Sequence, residues 1–133
     1  MPHIFIIEQQ REIRSILERI LCRAGYTVST FSDAALAQAY ARKTPPSAVV
    51  VDMSYQPLTI SQALAALRAS LPDRNVPFIV TSTWYCDEVN LLPGDGYAEI
   101  LVKPFLRESL LESIERALWQ HQRPKQHPGA MRV

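Results

Sequence analysis

Five polar residues with complementary chemistry stand at the ends of apolar segments of the sequence. These residues are Glu8, Gln9, Asp52, Thr81 and Lys103. A carboxylate can accept a phosphoryl group if a divalent cation held by neighbouring oxygens offsets the repulsion between negative charges. A lysine and a hydroxyl can then stabilise the added oxygens. The set therefore predicts phosphoryl chemistry centred on Asp52, provided that the fold brings the five residues together.

The apolar segments predict the strands that would position this set. The run Val49-Val50-Val51 is apolar on both faces of a strand, which is typical of the centre of a parallel sheet. Strands are expected over residues 3–7, 26–31, 47–52, 76–81 and 97–102. Five helices are expected to alternate with them, including a short one over residues 85–92 and a last one over residues 105–119.

This alternation predicts the fold class. We expect an α/β, doubly wound, flavodoxin-like fold with five helices around a five-stranded parallel sheet. Right-handed crossovers favour the strand order 2-1-3-4-5. In such a sheet, ligands bind at the edge formed by the carboxyl ends of the strands, where all five polar residues would lie.

The second helix is expected to begin at a polar pair. Ser32 is the predicted N-cap, and Asp33 would favour the positive end of the helix. Leu36, Ala37 and Tyr40 are expected to face the core.

The composition fits one globular domain followed by a tail. The chain has 133 residues, of which 47% are hydrophobic, so it can bury a core. Its formal net charge of +1 argues against a strong general affinity for nucleic acid. We expect a domain over residues 1–120 and a flexible basic tail over residues 121–133, where proline, glutamine and basic residues replace the apolar pattern.

The sequence also predicts a cytoplasmic location. No stretch reaches the roughly 18 apolar residues of a membrane span, and the amino terminus lacks the pattern of a secretory signal. The two cysteines, Cys22 and Cys86, are far apart and do not suggest a disulfide framework. We therefore expect no association with a membrane.

The order and spacing of these features resemble a response-regulator receiver domain of two-component signalling, the CheY-like family. The resemblance covers residues 3 to about 120 and is carried by Glu8, the strand that ends in Asp52, Val80-Thr81-Ser82 and Lys103-Pro104-Phe105. It implies that Asp52 is the phosphoacceptor and that Thr81 and Lys103 stabilise the phosphoryl group. It further implies a cis Lys103-Pro104 peptide bond.

The resemblance implies a magnesium ion, held by Glu8, Gln9, Asp52 and the backbone carbonyl of Ser54. Gln9 departs from the family pattern, which usually has a second carboxylate at this position. Magnesium prefers carboxylate oxygens to a neutral amide, so we expect weak binding. The loop after Asp52 also departs, because its proline comes one residue late and no glycine precedes the third helix.

A switch surface is implied beside the fourth helix, the fifth strand and the fifth helix. Ile100 replaces the aromatic residue that commonly reports phosphorylation in the family, which argues against a tyrosine-type switch. Trp84 and Tyr85 follow the strand of Thr81 and are candidates for this surface, with packing beneath a loop as the alternative.

The last helix contributes to the same predicted surface. Leu110, Ile114 and Ala117 form its expected inward stripe. Leu111 and Leu118 are expected to lie off that stripe, as a second apolar face available to a partner, with incidental surface leucines as the alternative.

Two functions are compatible with these features. In the first, a sensor histidine kinase or phosphotransfer protein modifies Asp52 and so changes the affinity of the switch surface for a downstream protein or a second copy. In the second, the chain is a phosphorylation-independent, pseudo-receiver interaction module, as Gln9, Ile100 and the altered loop after Asp52 indicate. We expect the chain to be a switch rather than an enzyme.

Other classes of function fit the sequence less well. A small enzyme or flavin-binding protein would need a glycine-rich loop after the first strand, where Glu8-Gln9-Gln10-Arg11 stands. Direct binding to nucleic acid is not expected, because the segment after the last helix is too short for a helix-turn-helix unit.

Overall fold

A computed structural model of the chain describes residues 2–52, 57–83 and 99–122. The strands in these ranges are β1 (His3–Ile7), β2 (Thr27–Phe31), β3 (Ala48–Asp52), β4 (Phe78–Ser82) and β5 (Glu99–Val102). The helices are α1 (Arg11–Arg23), α2 (Ala34–Ala41), α3 (Pro57–Ser70) and α4 (Arg107–Gln122). The helix predicted over residues 85–92 falls outside the described ranges. No helix within them is long and apolar enough to cross a membrane.

The five strands form one parallel sheet in the order β2-β1-β3-β4-β5, as the sequence predicts. The register places Ile7 beside Val51 and Asp52 beside Thr81. Thr81 in turn lies beside Leu101, two residues before Lys103. The carboxyl ends of β1, β3, β4 and β5 therefore share the edge at which the candidate site was expected.

Side chains that alternate along the strands divide the core between the two faces of the sheet. Every residue of β3 is buried, because helices cover both faces. Phe5 and Val49 point to one face and pack with α2 and α3. Ile6 and Val50 point to the other face and pack with α1 and α4.

The start and the buried face of α2 differ from the sequence prediction. Asp33, rather than Ser32, is the N-cap, and its Oδ1 accepts a 3.0 Å hydrogen bond from the backbone N–H of Leu36. Ala37 is fully buried as predicted, whereas Leu36 is 53% exposed and does not face the core. Tyr40 is 43% exposed, but its ring packs against those of Phe5 and Phe31, at 5.8 Å and 5.6 Å between centroids, so it contacts the core from the edge of the helix. The small residues Ala37 and Ala41, about one turn apart, form the face that lies on the sheet.

Helix α4 is longer and buries a wider stripe than predicted. Leu110, Ile114 and Ala117 are buried, as expected. Leu118 is only 7% exposed and belongs to the same core cluster, so the prediction that it lies off the inward stripe was wrong. Positions 110, 114, 117 and 118 follow the spacing of a broad apolar face. The helix ends at Gln122, so residues 121 and 122 belong to it rather than to the predicted tail, and residues 123–133 lie outside the described ranges.

The cap of α2 can be tested by two neighbouring substitutions. Asp33→Ala should lower the free energy of unfolding by about 1 kcal/mol, because a helix N–H loses its acceptor. Ser32→Ala removes a hydroxyl from the adjacent residue and should change stability by less than about 0.5 kcal/mol. Urea denaturation of both variants measures the difference, and equal losses would contradict the assignment of Asp33 as the cap.

Candidate functional site

Lys103 joins the two acidic strand ends of the site. Its ammonium Nζ lies 3.0 Å from Glu8 Oε1 and 3.0 Å from Asp52 Oδ1. The side chains of Glu8 and Asp52 are only 1% and 3% exposed, whereas that of Lys103 is 16% exposed. The structure thus brings together residues 44 and 95 positions away from Glu8 in the sequence, by placing them at the ends of β1 and β3 and just after β5.

The electrostatics of this trio favour a permanently charged lysine. Burial by itself lowers the pKa of the Lys103 ammonium, but hydrogen bonds to Asp52 and Glu8, with the negative charges of both, outweigh it. The pKa of Lys103 is therefore raised above its ordinary value. One ammonium compensates two buried carboxylates, which leaves the trio with a net negative charge when both acids are ionised.

Thr81 lies beside Asp52 with an unused hydroxyl. The residue is 1% exposed, and its Oγ1 has no hydrogen-bond partner among the residues that the structure describes. A buried hydroxyl left unpaired costs about 1–3 kcal/mol, and this one is free to donate a hydrogen bond to a group bound at Asp52. The backbone of the next residue is tied to the lysine, since Lys103 N–H donates a 2.7 Å hydrogen bond to the Ser82 carbonyl.

The turn between β1 and α1 is fixed by contacts that the sequence prediction missed. Glu8 Oε2 accepts a 3.1 Å hydrogen bond from the Gln10 N–H. The Arg14 guanidinium donates to the carbonyls of Glu8 and Gln9, at 2.8 Å and 3.4 Å. Helical side chains lean towards the N-terminus of their helix, so an arginine in the first turns of α1 was the available signal.

The site offers oxygen atoms of the type that binds magnesium, but the described residues include only two carboxylates to supply them. Glu8 and Asp52 offer carboxylate oxygens, the ligands that this ion prefers. Gln9 is exposed and offers only a neutral amide. Within the described ranges there is no group of three His, Cys, Asp or Glu side chains that could hold a metal ion. The fourth predicted ligand, the carbonyl of Ser54, lies outside those ranges.

The predicted switch residues are placed differently from one another. Ile100 on β5 is partly buried and packs against the core cluster beneath α2 and α3. Leu111 is partly buried against the opposite cluster, to which Leu118 belongs outright. Trp84 and Tyr85 lie outside the described residues. The predicted cis peptide bond between Lys103 and Pro104 is present.

Comparisons with known proteins agree with this geometry. The model of the response regulator receiver domain matches residues 4–115. The transcriptional regulatory protein PrrA of Mycobacterium leprae is 33% identical over 119 residues, which are 88% of this chain and 50% of that protein. The chain thus spans about half the length of this relative.

Solved structures show the same fold. The chemotaxis response regulator CheY4 of Vibrio cholerae is 25% identical, with a TM-score of 0.76 over 88% of this chain and 98% of that one. The receiver domain of a sensor histidine kinase from Pseudomonas aeruginosa is 21% identical, with a TM-score of 0.71 over 89% of this chain and 98% of that one. In that structure a magnesium ion is coordinated in the active-site cleft. The match over most of its length, together with the joined ends of β1, β3 and β5, shows that this chain belongs to the response regulator receiver domain family.

Proposed function

We propose that this receiver domain is a switch in which Asp52 accepts a phosphoryl group. The observation that carries the proposal is the arrangement of Lys103 between Glu8 and Asp52, with the hydroxyl of Thr81 buried and unpaired in the described part of the site. The ammonium and the hydroxyl are the two kinds of group that stabilise phosphoryl oxygens. The ammonium of Lys103 and the hydroxyl-bearing Thr81 both lie beside Asp52, the carboxylate that would carry the phosphoryl group.

The proposed reaction transfers a phosphoryl group from a phosphohistidine or an acyl phosphate. A carboxylate oxygen of Asp52 forms a bond to phosphorus, and the bond between phosphorus and the donor nitrogen or oxygen breaks. The electron pair of that bond stays with the donor, which leaves as a carboxylate or, when the other ring nitrogen of the phosphohistidine carries a proton, as neutral imidazole. Lys103 then pairs with a phosphoryl oxygen, and Thr81 Oγ1 donates a hydrogen bond to another.

A magnesium ion would supply the charge compensation that brings the phosphoryl oxygens close to two carboxylates. Glu8 and Asp52 would hold it, with the Gln9 amide and the Ser54 carbonyl as weaker donors. Because Gln9 replaces a carboxylate, we expect weak binding of this ion. Arg14 beside the same turn adds a positive charge, which disfavours a cation further.

A second function is favoured by the same glutamine. Gln9 leaves the site with one carboxylate fewer, and Lys103 is already paired with both remaining acids. These ion pairs would hold the side chains in place without a metal ion or a phosphoryl group. In this alternative the chain is a phosphorylation-independent interaction module that uses the receiver fold as a scaffold.

Partners follow from the proposed switch. The donor would be a sensor histidine kinase, a phosphotransfer protein or a small acyl phosphate. The acceptor of the signal would be a downstream protein, or a second copy, that contacts the surface near β5 and α4. The chain would act stoichiometrically on this partner rather than as an enzyme with its own substrate.

Phosphorylation can be tested by intact-mass measurement after incubation with acetyl phosphate and magnesium chloride. The wild-type chain should gain a single phosphoryl adduct, and Asp52→Asn should gain none, because its amide is a poor nucleophile. A folded chain that gains no adduct from acetyl phosphate or from its kinase, and whose partner still binds Asp52→Ala, would establish the interaction module instead.

The weakness attributed to Gln9 can be tested through magnesium affinity. Gln9→Asp restores a carboxylate and should tighten magnesium binding on the order of tenfold, or about 1.4 kcal/mol. Gln10→Asp adds the same charge one residue away, at a position whose backbone N–H donates to Glu8. Isothermal titration of both variants distinguishes a ligand effect from a general charge effect. Equal tightening would contradict the role given to position 9.

The unpaired hydroxyl of Thr81 can be tested by its removal. Replacing a threonine whose hydroxyl is hydrogen-bonded lowers stability, whereas replacing this one should not. Thr81→Val should leave the unmodified chain as stable as the wild type, or more stable by up to about 1 kcal/mol, since a buried unpaired group is removed. After phosphorylation of Asp52, thermal denaturation should show a smaller gain in melting temperature for Thr81→Val than for the wild type. Ser82→Ala serves as control at an equally buried neighbour that has an interaction partner. A loss of stability in unmodified Thr81→Val would contradict this assignment.

A further inference from the structure

One edge of the sheet is formed by β2, which pairs with β1 alone among the described strands. Thr27 donates its N–H to the Pro2 carbonyl at 3.1 Å, and the Phe31 carbonyl accepts from the Glu8 N–H at 3.0 Å. In a parallel ladder, alternate residues turn their backbone groups to the same neighbouring strand. Thr27, Ser29 and Phe31 therefore turn theirs towards β1.

Val28 and Thr30 direct their N–H and C=O groups away from the sheet. These four groups form no hydrogen bond with another residue in the ranges 2–52, 57–83 and 99–122. A row of unpaired backbone groups is a template for another strand, and proteins usually protect it with a charged residue, a proline or a bulge. Residues 26–31 contain neither a charged residue nor a proline. The edge of β2 is thus open to pairing.

Exposed apolar side chains of α2 lie beside this edge. Ala37 faces the sheet and is fully buried, and Gln38 donates to a backbone carbonyl of α3 at 3.5 Å. Consecutive residues of a helix are about 100° apart, so Leu36 lies on the flank opposite Gln38, away from α3 and towards the edge of β2. Leu36 is 53% exposed, and Tyr40, one turn later on the same flank, is 43% exposed.

The spacing of the unpaired groups matches a second copy of β2 in antiparallel orientation. In an antiparallel pair, opposed residues that exchange two hydrogen bonds alternate with opposed residues that exchange none. If Ser29 lies opposite Ser29 of the second copy, Val28 lies opposite Thr30 and Thr30 opposite Val28. Two hydrogen bonds in each of these two pairs satisfy every outward group of both strands.

The same symmetry joins the apolar flanks of the two copies. A twofold axis between the Ser29 residues runs perpendicular to the sheet, so α2 of both copies stays on one face. Leu36 and Tyr40 of one copy then lie beside the same flank of the other and are covered. Like charges do not oppose each other across the strands, because residues 26–31 carry none.

We propose that the edge of β2 pairs with β2 of a second copy and forms a weak antiparallel homodimer. The two five-stranded sheets become one sheet of ten strands. Two short strands and their flanks bury less than about 1,200 Å², which is typical of weak interfaces. The pairing uses neither Asp52 nor Lys103, and it lies at the opposite edge of the sheet from β5. It therefore stands even if Asp52 is never modified.

A disulfide at the axis tests the register. Opposed residues that exchange no hydrogen bonds have Cα atoms about 4.5 Å apart, which a disulfide can span. In a chain with Cys22→Ser and Cys86→Ser, Ser29→Cys should form a covalent dimer when oxidised by air with copper–phenanthroline. Thr27→Cys is the control on the same face of β2, because its two copies would lie about 13 Å apart and should not cross-link. Electrophoresis without reducing agent measures the dimer.

Association without a cross-link is measured by analytical ultracentrifugation from about 10 µM to 1 mM, the range suited to weak dimers. Wild type and Asp52→Asn should dimerise alike as the concentration rises. Leu36→Lys brings two positive charges together and should weaken dimerisation by at least about tenfold. Leu106→Lys makes the same change at a 70% exposed leucine after β5, and should alter dimerisation by less than about twofold. Circular dichroism confirms that each variant is folded.

Amide hydrogen exchange identifies the groups that pair. In dilute solution the N–H groups of Val28 and Thr30 should exchange quickly, whereas that of Ser29, which faces β1, should be protected. In concentrated solution all three should be protected. This readout uses the wild-type chain and does not depend on any substitution.

Three results would overturn the proposal. A chain that stays monomeric at about 1 mM would show that the edge does not pair. A dimer that Leu106→Lys abolishes and Leu36→Lys leaves intact would place the association on the surface near β5 and α4. Cross-linking of Thr27→Cys as efficient as that of Ser29→Cys would contradict the antiparallel register.

Discussion

The site depends on a single ammonium that two buried carboxylates share. Burying the carboxyl groups of Glu8 and Asp52 without a compensating charge would be costly, because a buried charge loses its hydration. Lys103 supplies that charge from just beyond β5, two strands away from β3 in the sheet. Neighbouring strands lie about 4.8 Å apart, so the ends of β3 and β5 are separated by about 10 Å, and only a long side chain can bridge them. The strand order and the choice of lysine are thus linked.

Much of this arrangement is predictable from the sequence because it rests on patterns that act locally. Val49-Val50-Val51 signals a strand covered on both faces, and that strand orders the rest of the sheet around it. The residues that follow each strand are then forced to one edge by topology alone. Asp52, Thr81 and Lys103 could be grouped on that basis before any distance was known.

The features that the sequence did not reveal depend on rotations of helices and on contacts with the backbone. Ser32 and Asp33 are both good caps, and the start of α2 in the structure decides between them. The rotation of α2 about its axis leaves Leu36 exposed. Leu118 is buried because α4 lies with a broad face on the sheet, which a narrow stripe of apolar positions does not show. Arg14 donates to backbone carbonyl groups, and its position in the first turns of α1 is the only signal of that contact in the sequence.

The backbone hydrogen bond from Lys103 to Ser82 links the two groups that would contact a phosphoryl group. Thr81 precedes the acceptor of this bond, and Lys103 is its donor, so the end of β4 and the residue after β5 are held at a fixed separation. Drawing the hydroxyl of Thr81 towards a new ligand would therefore move the attachment point of the lysine as well. The side chains of Thr81 and Lys103 would therefore move together when a phosphoryl group binds, rather than independently of each other.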